Sequence, residues 1–428
     1  MRISVKSFLV LFLSPVFVFS QQRDLSFYIE KAKANSTLIN QNENEKKLVE
    51  LDLEQLRRIY SRPEVTLEAG LLFAPIIVHE NNTNRLKMVS GDVDSYSGYD
   101  LGATDGGQYQ AMLSLNQGLF NGKKLQTYAE KAEVQKKIND NAIELTVHEL
   151  ENVVNHQYIL CLKAEKQAAG SLSLIKEVED EISVMGKLVN SAIYKKSDLA
   201  LLEITRQNYL QEYESYRAEF KANVYDLNLI CGITDDSEVA LSEVWFQQNG
   251  ELNTASRFLT LFMLDSLSIA SELKISELKY KPQLSLFANT GLNAVYQPSF
   301  NRMGLSAGLT FSMTLFDGNQ REIERQKSEI SQQTLSFEKQ KAKDQNSIQK
   351  NYTMEQIRSL NKRIGLADAQ LKQYDELLKM YKAQLNQGDV SVMDYKYLLK
   401  DISEKSQEKL MLEMEKQLVI NAYNYWNY

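Results

Sequence analysis

The sequence predicts an α+β membrane protein of two structural repeats, each a pair of β-strands followed by a long helical hairpin. Three observations carry this. A tetrapeptide recurs, Leu119-Phe120-Asn121-Gly122 and Leu315-Phe316-Asp317-Gly318, each time where an alternating run stops and a helical pattern begins. Upstream of each, a basic-proline step opens the strand region: Arg62-Pro63-Glu64-Val65-Thr66-Leu67 and Lys281-Pro282-Gln283-Leu284-Ser285-Leu286. After each tetrapeptide the chain runs without proline or further glycine as far as Gly170 and Gly365. Self-similarity at a fixed spacing means a repeated structural unit.

Residues 1–20 read as a signal peptide. Arg2 and Lys6 precede an apolar run from Phe8 to Phe19, and Val18-Phe19-Ser20 supplies the cleavage positions, with Gln21 the first mature residue. That run falls short of the roughly 20 residues a spanning helix needs. No cysteine follows the cleavage point, so no lipid anchor is expected there. Repeat 1 occupies 21–231, with a β-hairpin over 63–118 and a helical hairpin over 119–231. A connector, 232–252, carries Trp245. Repeat 2 occupies 253–428, with a β-hairpin over 282–316 and a helical hairpin over 317–428.

Residues 24–60 should be helical, capped by Asp24 and stopped by Arg62-Pro63, since the residue before proline avoids the helical region. In 64–73, Val65, Leu67, Ala69, Leu71 and Phe73 alternate with Glu64, Thr66, Glu68 and Gly70. A glycine- and aspartate-rich stretch, 76–108, reads as a long loop. Alternation resumes with Tyr109, Ala111, Leu113 and Leu115. In the second copy Leu284, Leu286, Ala288, Thr290 and Leu292 form one row. After a turn around Pro298, Met303, Leu305, Ala307, Leu309, Phe311, Met313 and Leu315 form the next. Four strands of about 10 residues have the length that crosses a bilayer when tilted, and an apolar row beside a small polar row fits a barrel wall. Tyr96, Tyr99, Tyr109, Tyr296 and Phe300 are placed where an interfacial aromatic belt would lie.

The long helices are expected to reverse at Gly170 and Gly365 and to return over 171–230 and 366–426. Each returning helix has a polar interruption, Lys196-Ser197-Asp198-Leu199 and Gln387-Gly388-Asp389-Val390. Phe258 to Ala270 is apolar but carries Asp265 and is too short to span.

Chemistry is sparse. Charged residues make up 25% of the chain and the formal net charge is −7. Cleavage would remove two more basic residues, so nucleic-acid binding is not expected. Cys161 and Cys231 form no CxxC and read as buried small hydrophobes. His79 falls in the predicted loop; His148 and His156 stand eight residues apart, two helical turns rather than the one a metal pair prefers. With no Walker A, GxGxxG or HExxH motif, no catalytic residue, cofactor or metal site is expected, and the chain does not read as an enzyme.

Four strands cannot close a membrane barrel, and an open sheet edge in lipid leaves unsatisfied backbone groups. The chain must therefore oligomerise, and three protomers would give about 12 strands. On the basic-proline steps at Pro63 and Pro282, the two tetrapeptides and the glycines at 170 and 365, the chain resembles the TolC family of outer-membrane efflux proteins over essentially its whole mature length. The resemblance implies a homotrimer. Four strands per protomer would build a 12-stranded β-barrel in outer-membrane lipid, continued by a long α-helical barrel in the periplasm. It implies a passive exit duct of a tripartite efflux or type I secretion system. Its partners would be a periplasmic adaptor (membrane fusion) protein and, through it, an inner-membrane pump of RND, ABC or MFS type. By the same likeness the adaptor-docking tips map to Gly170, Ser171, Leu172, Gly365 and Leu366. A periplasmic gate of acidic side chains just past the second tip would involve Asp368 or Asp375. The alternative is a soluble periplasmic coiled-coil adaptor, but that needs one helical hairpin beside compact β-domains, not two hairpins and two membrane-length strand pairs.

Overall fold

The computed structural model describes residues 22–80, 82–88, 95–98, 107–235, 239–250, 256–295 and 303–428. The predicted signal peptide lies outside them, as do Tyr99, Tyr296 and Phe300 of the expected belt. The chain forms two compact units.

One unit comprises residues 40–143 and 257–343. Its centre is a four-stranded antiparallel sheet of β2 (Glu64–Phe73), β6 (Gly107–Leu119), β8 (Gln283–Val295) and β9 (Met303–Ser312), hydrogen-bonded in the order β2-β6-β8-β9. The strands fall where alternation predicts them, except that β9 ends at Ser312 and leaves Met313 and Leu315 outside it. The register aligns their apolar rows on one face. Leu67 is opposite Leu113, Ala111 opposite Leu292, Leu286 opposite Leu309, and Leu284 opposite Phe311. The other face carries Thr66, Gly70, Gln110, Ser114, Asn289, Ser306 and Thr310, with Leu72, Met112 and Phe287 among them. Because the side-chain period is 2, a one-residue slip would exchange the two faces. Gly291 holds this register: a Cβ there would sit 2.1 Å from the Ala111 carbonyl oxygen, at a φ of 151°.

The predicted loop over 76–108 is in part a second sheet. β3 (Ile76–Glu80), β4 (Thr83–Lys87) and β5 (Tyr96–Ser97) pair in the order β4-β3-β5. Ile76 and Val78 are buried. His79 sits on β3, not in a loop, with its ring nitrogens 2.8 Å from Asn84 Oδ1 and 2.8 Å from Ser97 Oγ. Strands this short, with only two buried apolar positions, give little periodicity to read.

The other unit comprises residues up to 39, 144–256 and 344–428, and is helical apart from a parallel pair of two-residue strands, β1 (Gln22–Arg23) and β7 (Ala240–Leu241). The first predicted helix is two, α1 (Leu25–Asn35) and α2 (Thr37–Ser61), and Asp24 caps α1 by accepting the Phe27 N–H at 2.9 Å. α3 (Gly122–Asn190) has 69 residues and α4 (Lys196–Cys231) has 36. After α5 (Arg257–Glu277), α6 (Gln320–Gln387) has 68 and α7 (Val392–Trp426) has 35, so the two long helical pairs match in length. One buried cluster joins Tyr28 and Ala32 to Val154, Tyr158, Leu227 and the free cysteines Cys161 and Cys231. Burial pushes both thiols up to about 12, so they stay protonated and pack as small hydrophobes.

Candidate functional site

The helices do not reverse where the sequence predicts. Gly170, Ser171 and Leu172 lie inside α3, and Gly365 and Leu366 inside α6. A single glycine costs a helix only about 1 kcal/mol relative to alanine, too little by itself to break a long one. The reversals fall at 191–195 and 388–391, over or beside the two stretches read as interruptions of the returning helices.

Both turns use left-handed backbone: Ala192 at φ 58° and Gly388 at φ 84°. The Asp198 carboxylate accepts the Lys195 N–H at 2.9 Å, and Ser391 caps α7 by accepting the Asp394 N–H at 3.1 Å. The first turn also holds the second. The Tyr194 hydroxyl lies 3.1 Å from the Leu385 carbonyl oxygen and 2.7 Å from that of Val390. A Cβ on Gly388 would be 3.3 Å from Ile193 Cγ2. Behind the turns one core takes Val178 and Met185 from α3, Leu202 and Tyr209 from α4, Leu385 from α6, and Val392, Tyr395 and Leu399 from α7. The ends of both hairpins are thus a single packed body.

One carboxylate, Glu181, is buried there. Lys382 on α6 pairs with Glu177 and lies 3.9 Å from Glu181, both on α3. Burial raises the Glu181 carboxyl, opposed by Lys382, and burial raises the Tyr395 phenol beside it. The acidic candidates Asp368 and Asp375 lie on α6 ahead of the second turn, not past it. Asp368 accepts Lys409 at 2.7 Å and Asp375 is exposed. Lys409 stands on α7, so the pair braces α6 to α7.

At the strand exits the tetrapeptides are turned, as expected, but they differ in chemistry. Asn121 is buried; its Nδ2 donates to the Tyr60 carbonyl at 3.0 Å and to that of Gly118 at 2.9 Å. Asp317 accepts the Tyr280 hydroxyl and the Arg321 N–H at 3.0 Å. Phe120 and Phe316 are exposed. The string Gly304-Leu305-Ser306-Ala307-Gly308 matches a hydrolase nucleophile motif, yet it lies mid-strand in β9. A nucleophile elbow needs a strand-to-helix turn, so Ser306 has no such role. Among the described residues no group of three His, Cys, Asp or Glu could hold a metal, and no helix is long and apolar enough to cross a membrane.

No family model and no curated protein matches the sequence. Solved structures do match the fold. A structure of CusC, described with conformational changes accompanying transmembrane channel formation, superposes with a TM-score of 0.68 at 12% identity over 96% of this chain and 93% of its own. The outer membrane protein VceC of Vibrio cholerae gives 0.66 at 12%, over 94% and 95%. The open state of the Neisseria gonorrhoeae MtrE outer membrane channel gives 0.66 at 11%, over 94% and 88%. The chain therefore has the fold of the TolC-like outer-membrane channels.

Proposed function

We propose that this chain is one protomer of a trimeric outer-membrane exit duct, passive and without catalysis of its own. The observation that carries the reading is the sheet. One chain supplies four strands, with their apolar rows in register on one face and a mainly polar row, broken by Leu72, Met112 and Phe287, on the other. β2 is exposed along its whole length and so is nearly all of β9; Leu71 is 84% and Leu305 81% exposed. These two strands are the edges of the sheet. They run in opposite directions, so β9 of one protomer can pair antiparallel with β2 of the next. Three copies close a 12-stranded barrel and remove every edge, as lipid requires. The apolar face then meets lipid and the polar face lines the lumen. The two matched halves are read as structural repeats, with the helices continuing as a periplasmic tunnel.

The adaptor-docking role moves with the reversals, from Gly170 and Gly365 to the turns at 191–195 and 388–391. Through an adaptor there, an inner-membrane pump would supply the energy, in tripartite efflux or type I secretion. Opening requires the second hairpin to leave the first, and Tyr194 and Lys382 are the contacts it must release. The soluble-adaptor alternative has no use for a sheet with an uncovered apolar face.

The test is cysteine scanning in planar bilayers. Ser306→Cys, on the polar face, should let a charged water-soluble thiol reagent block current. Leu305→Cys, one residue along on the apolar face, should not. A protein that stays monomeric in mild detergent and passes no current overturns the reading.

A further inference from the structure

The end of the sheet from which the helices leave differs from the sheet itself. Register brings all four strand–helix junctions to that end: Glu64 is opposite Asn116, Leu119 opposite Leu284, and Gln283 opposite Ser312. Large apolar side chains are left bare there. Phe120 is 88%, Leu315 87% and Phe316 82% exposed. Phe120 is held out by a left-handed backbone, φ 58°, which is strained for a bulky residue and marks a position kept for a use.

Basic groups stand at the same end of the sheet. Arg62, Lys123 and Lys281 are exposed, and among the described residues none of them makes a salt bridge. Lys124 lies over the Tyr60 ring at 5.7 Å and Lys279 over the Tyr280 ring at 5.9 Å. Of the acidic groups nearby, Asp317 is engaged by Tyr280 and the Arg321 N–H, and Glu277 by Arg325 and Arg321; Glu64 and Glu322 remain. The excess of positive charge is local, in a chain whose formal net is −7. Beside it, Lys279, Tyr280, Ile323 and Lys327 line an open cavity of about 570 Å³, in which Lys327 neutralises Glu324 at 2.7 Å.

Exposed aromatics rimmed by lysine and arginine suit the membrane interface. The ring sits at headgroup depth and the cation meets phosphate. We infer that this collar binds the phosphate headgroups of anionic glycerophospholipids in the leaflet nearest the helices. The inference rests on reading the sheet as a membrane wall. It adds that the chain selects lipid by charge at one end of that wall.

Native mass spectrometry of the full chain, extracted in mild detergent and equilibrated with matched phosphatidylglycerol and phosphatidylcholine, tests it. Phosphatidylglycerol should be retained about fivefold or more over phosphatidylcholine, given the attraction of each surface cation. The preference should weaken with added salt. It should vanish in Arg62→Gln/Lys123→Gln/Lys281→Gln, while Phe120→Ser should lower retention of both lipids. Equal retention by the unaltered protein overturns the inference, as does a preference unmoved by the triple substitution. Should the triple variant fail to fold, a preference insensitive to salt overturns it too. Complete displacement by inorganic phosphate would mean a free-anion site and no leaflet recognition. Current across a planar bilayer, from the same preparation, separates the two readings. Current without lipid preference removes only this inference; no current removes the duct itself.

Discussion

The two halves of the chain solve the same local problems with opposite chemistry. At the first strand exit a donor is needed. Asn121 reaches back to two carbonyl oxygens, one of them the Tyr60 oxygen near the C-terminus of α2, where helix carbonyls lack partners. At the second exit an acceptor is needed. Asp317 takes the Tyr280 hydroxyl and caps the start of α6. One letter in Leu-Phe-Asn/Asp-Gly thus records which side of the junction is being held. The hairpin turns repeat the lesson. The first has Ala192 where the second has Gly388, both left-handed, and the first supplies the side chains that grip the second. Matched spacing fixes where the elements fall; single residues decide which neighbour each one holds.

The strongest way to break this contrast is to exchange the letters. Asn121→Asp replaces two donors with a carboxylate facing two carbonyl oxygens in a buried site. The cost should be upwards of about 2 kcal/mol, since an unsatisfied buried group costs about 1–3 and a charged one more. Thermal unfolding in detergent should show a clear fall in midpoint, whereas Asp317→Asn, which keeps one acceptor oxygen, should fall less. Equal losses would mean the two sites are not chemically distinct.

The turns give a pair of opposite sign. Gly388→Ala forces a Cβ into left-handed backbone against Ile193 and should cost about 1–2 kcal/mol. Ala192→Gly should gain at most about 1 kcal/mol, because relief of the same strain is partly offset by the extra freedom of the unfolded chain. Tyr194→Phe comes next, at about 1 kcal/mol for the lost hydrogen bonding. Hydrogen exchange should rise at 388–391 and stay unchanged at 191–195. A rise confined to 191–195 would reverse the assignment of which turn grips which.

Much of this was legible in the sequence where a rule has one physical cause. Arg62-Pro63 ends a helix because proline restricts the residue before it, and β2 spans Glu64–Phe73 as its alternation requires. Asp24 caps as its side chain permits. The hairpin ends were misplaced, because one glycine such as Gly170 or Gly365 is too weak a signal to end a long helix. Ser171 beside Gly170 is fully buried, so the helix there is held by its neighbours. The true reversals do show locally, as Gly388 with the capping Ser391 and as the Lys196–Leu199 stretch with the capping Asp198, but both stretches read as interruptions of a returning helix and not as its start. Which acidic residue stands free could not be read either, since the Asp368–Lys409 brace joins positions far apart in the chain.

The smallest expected effect is also the most specific. Hydrogen bonding from the Tyr280 hydroxyl, with help from the Arg321 and Gln320 N–H groups, holds the Asp317 carboxyl below the usual carboxylate range. A carboxyl lowered in the folded state stabilises at pH values above its unfolded pKa, about 3.9. That contribution is lost as pH falls through the folded value. Stability should therefore drop below about pH 3.9 more steeply in the unaltered protein than in Asp317→Asn, and the two curves should converge at the acid end. Tyr280→Phe removes the largest cause of the shift, so the loss should be smaller and should be complete at a higher pH. Asn121 cannot titrate, and substitutions at the first exit should move the curve vertically without changing its slope in this window. Parallel curves for the unaltered protein and Asp317→Asn would show that the second exit, like the first, is held by neutral hydrogen bonds. The donor–acceptor contrast between the halves would then be one of geometry without charge.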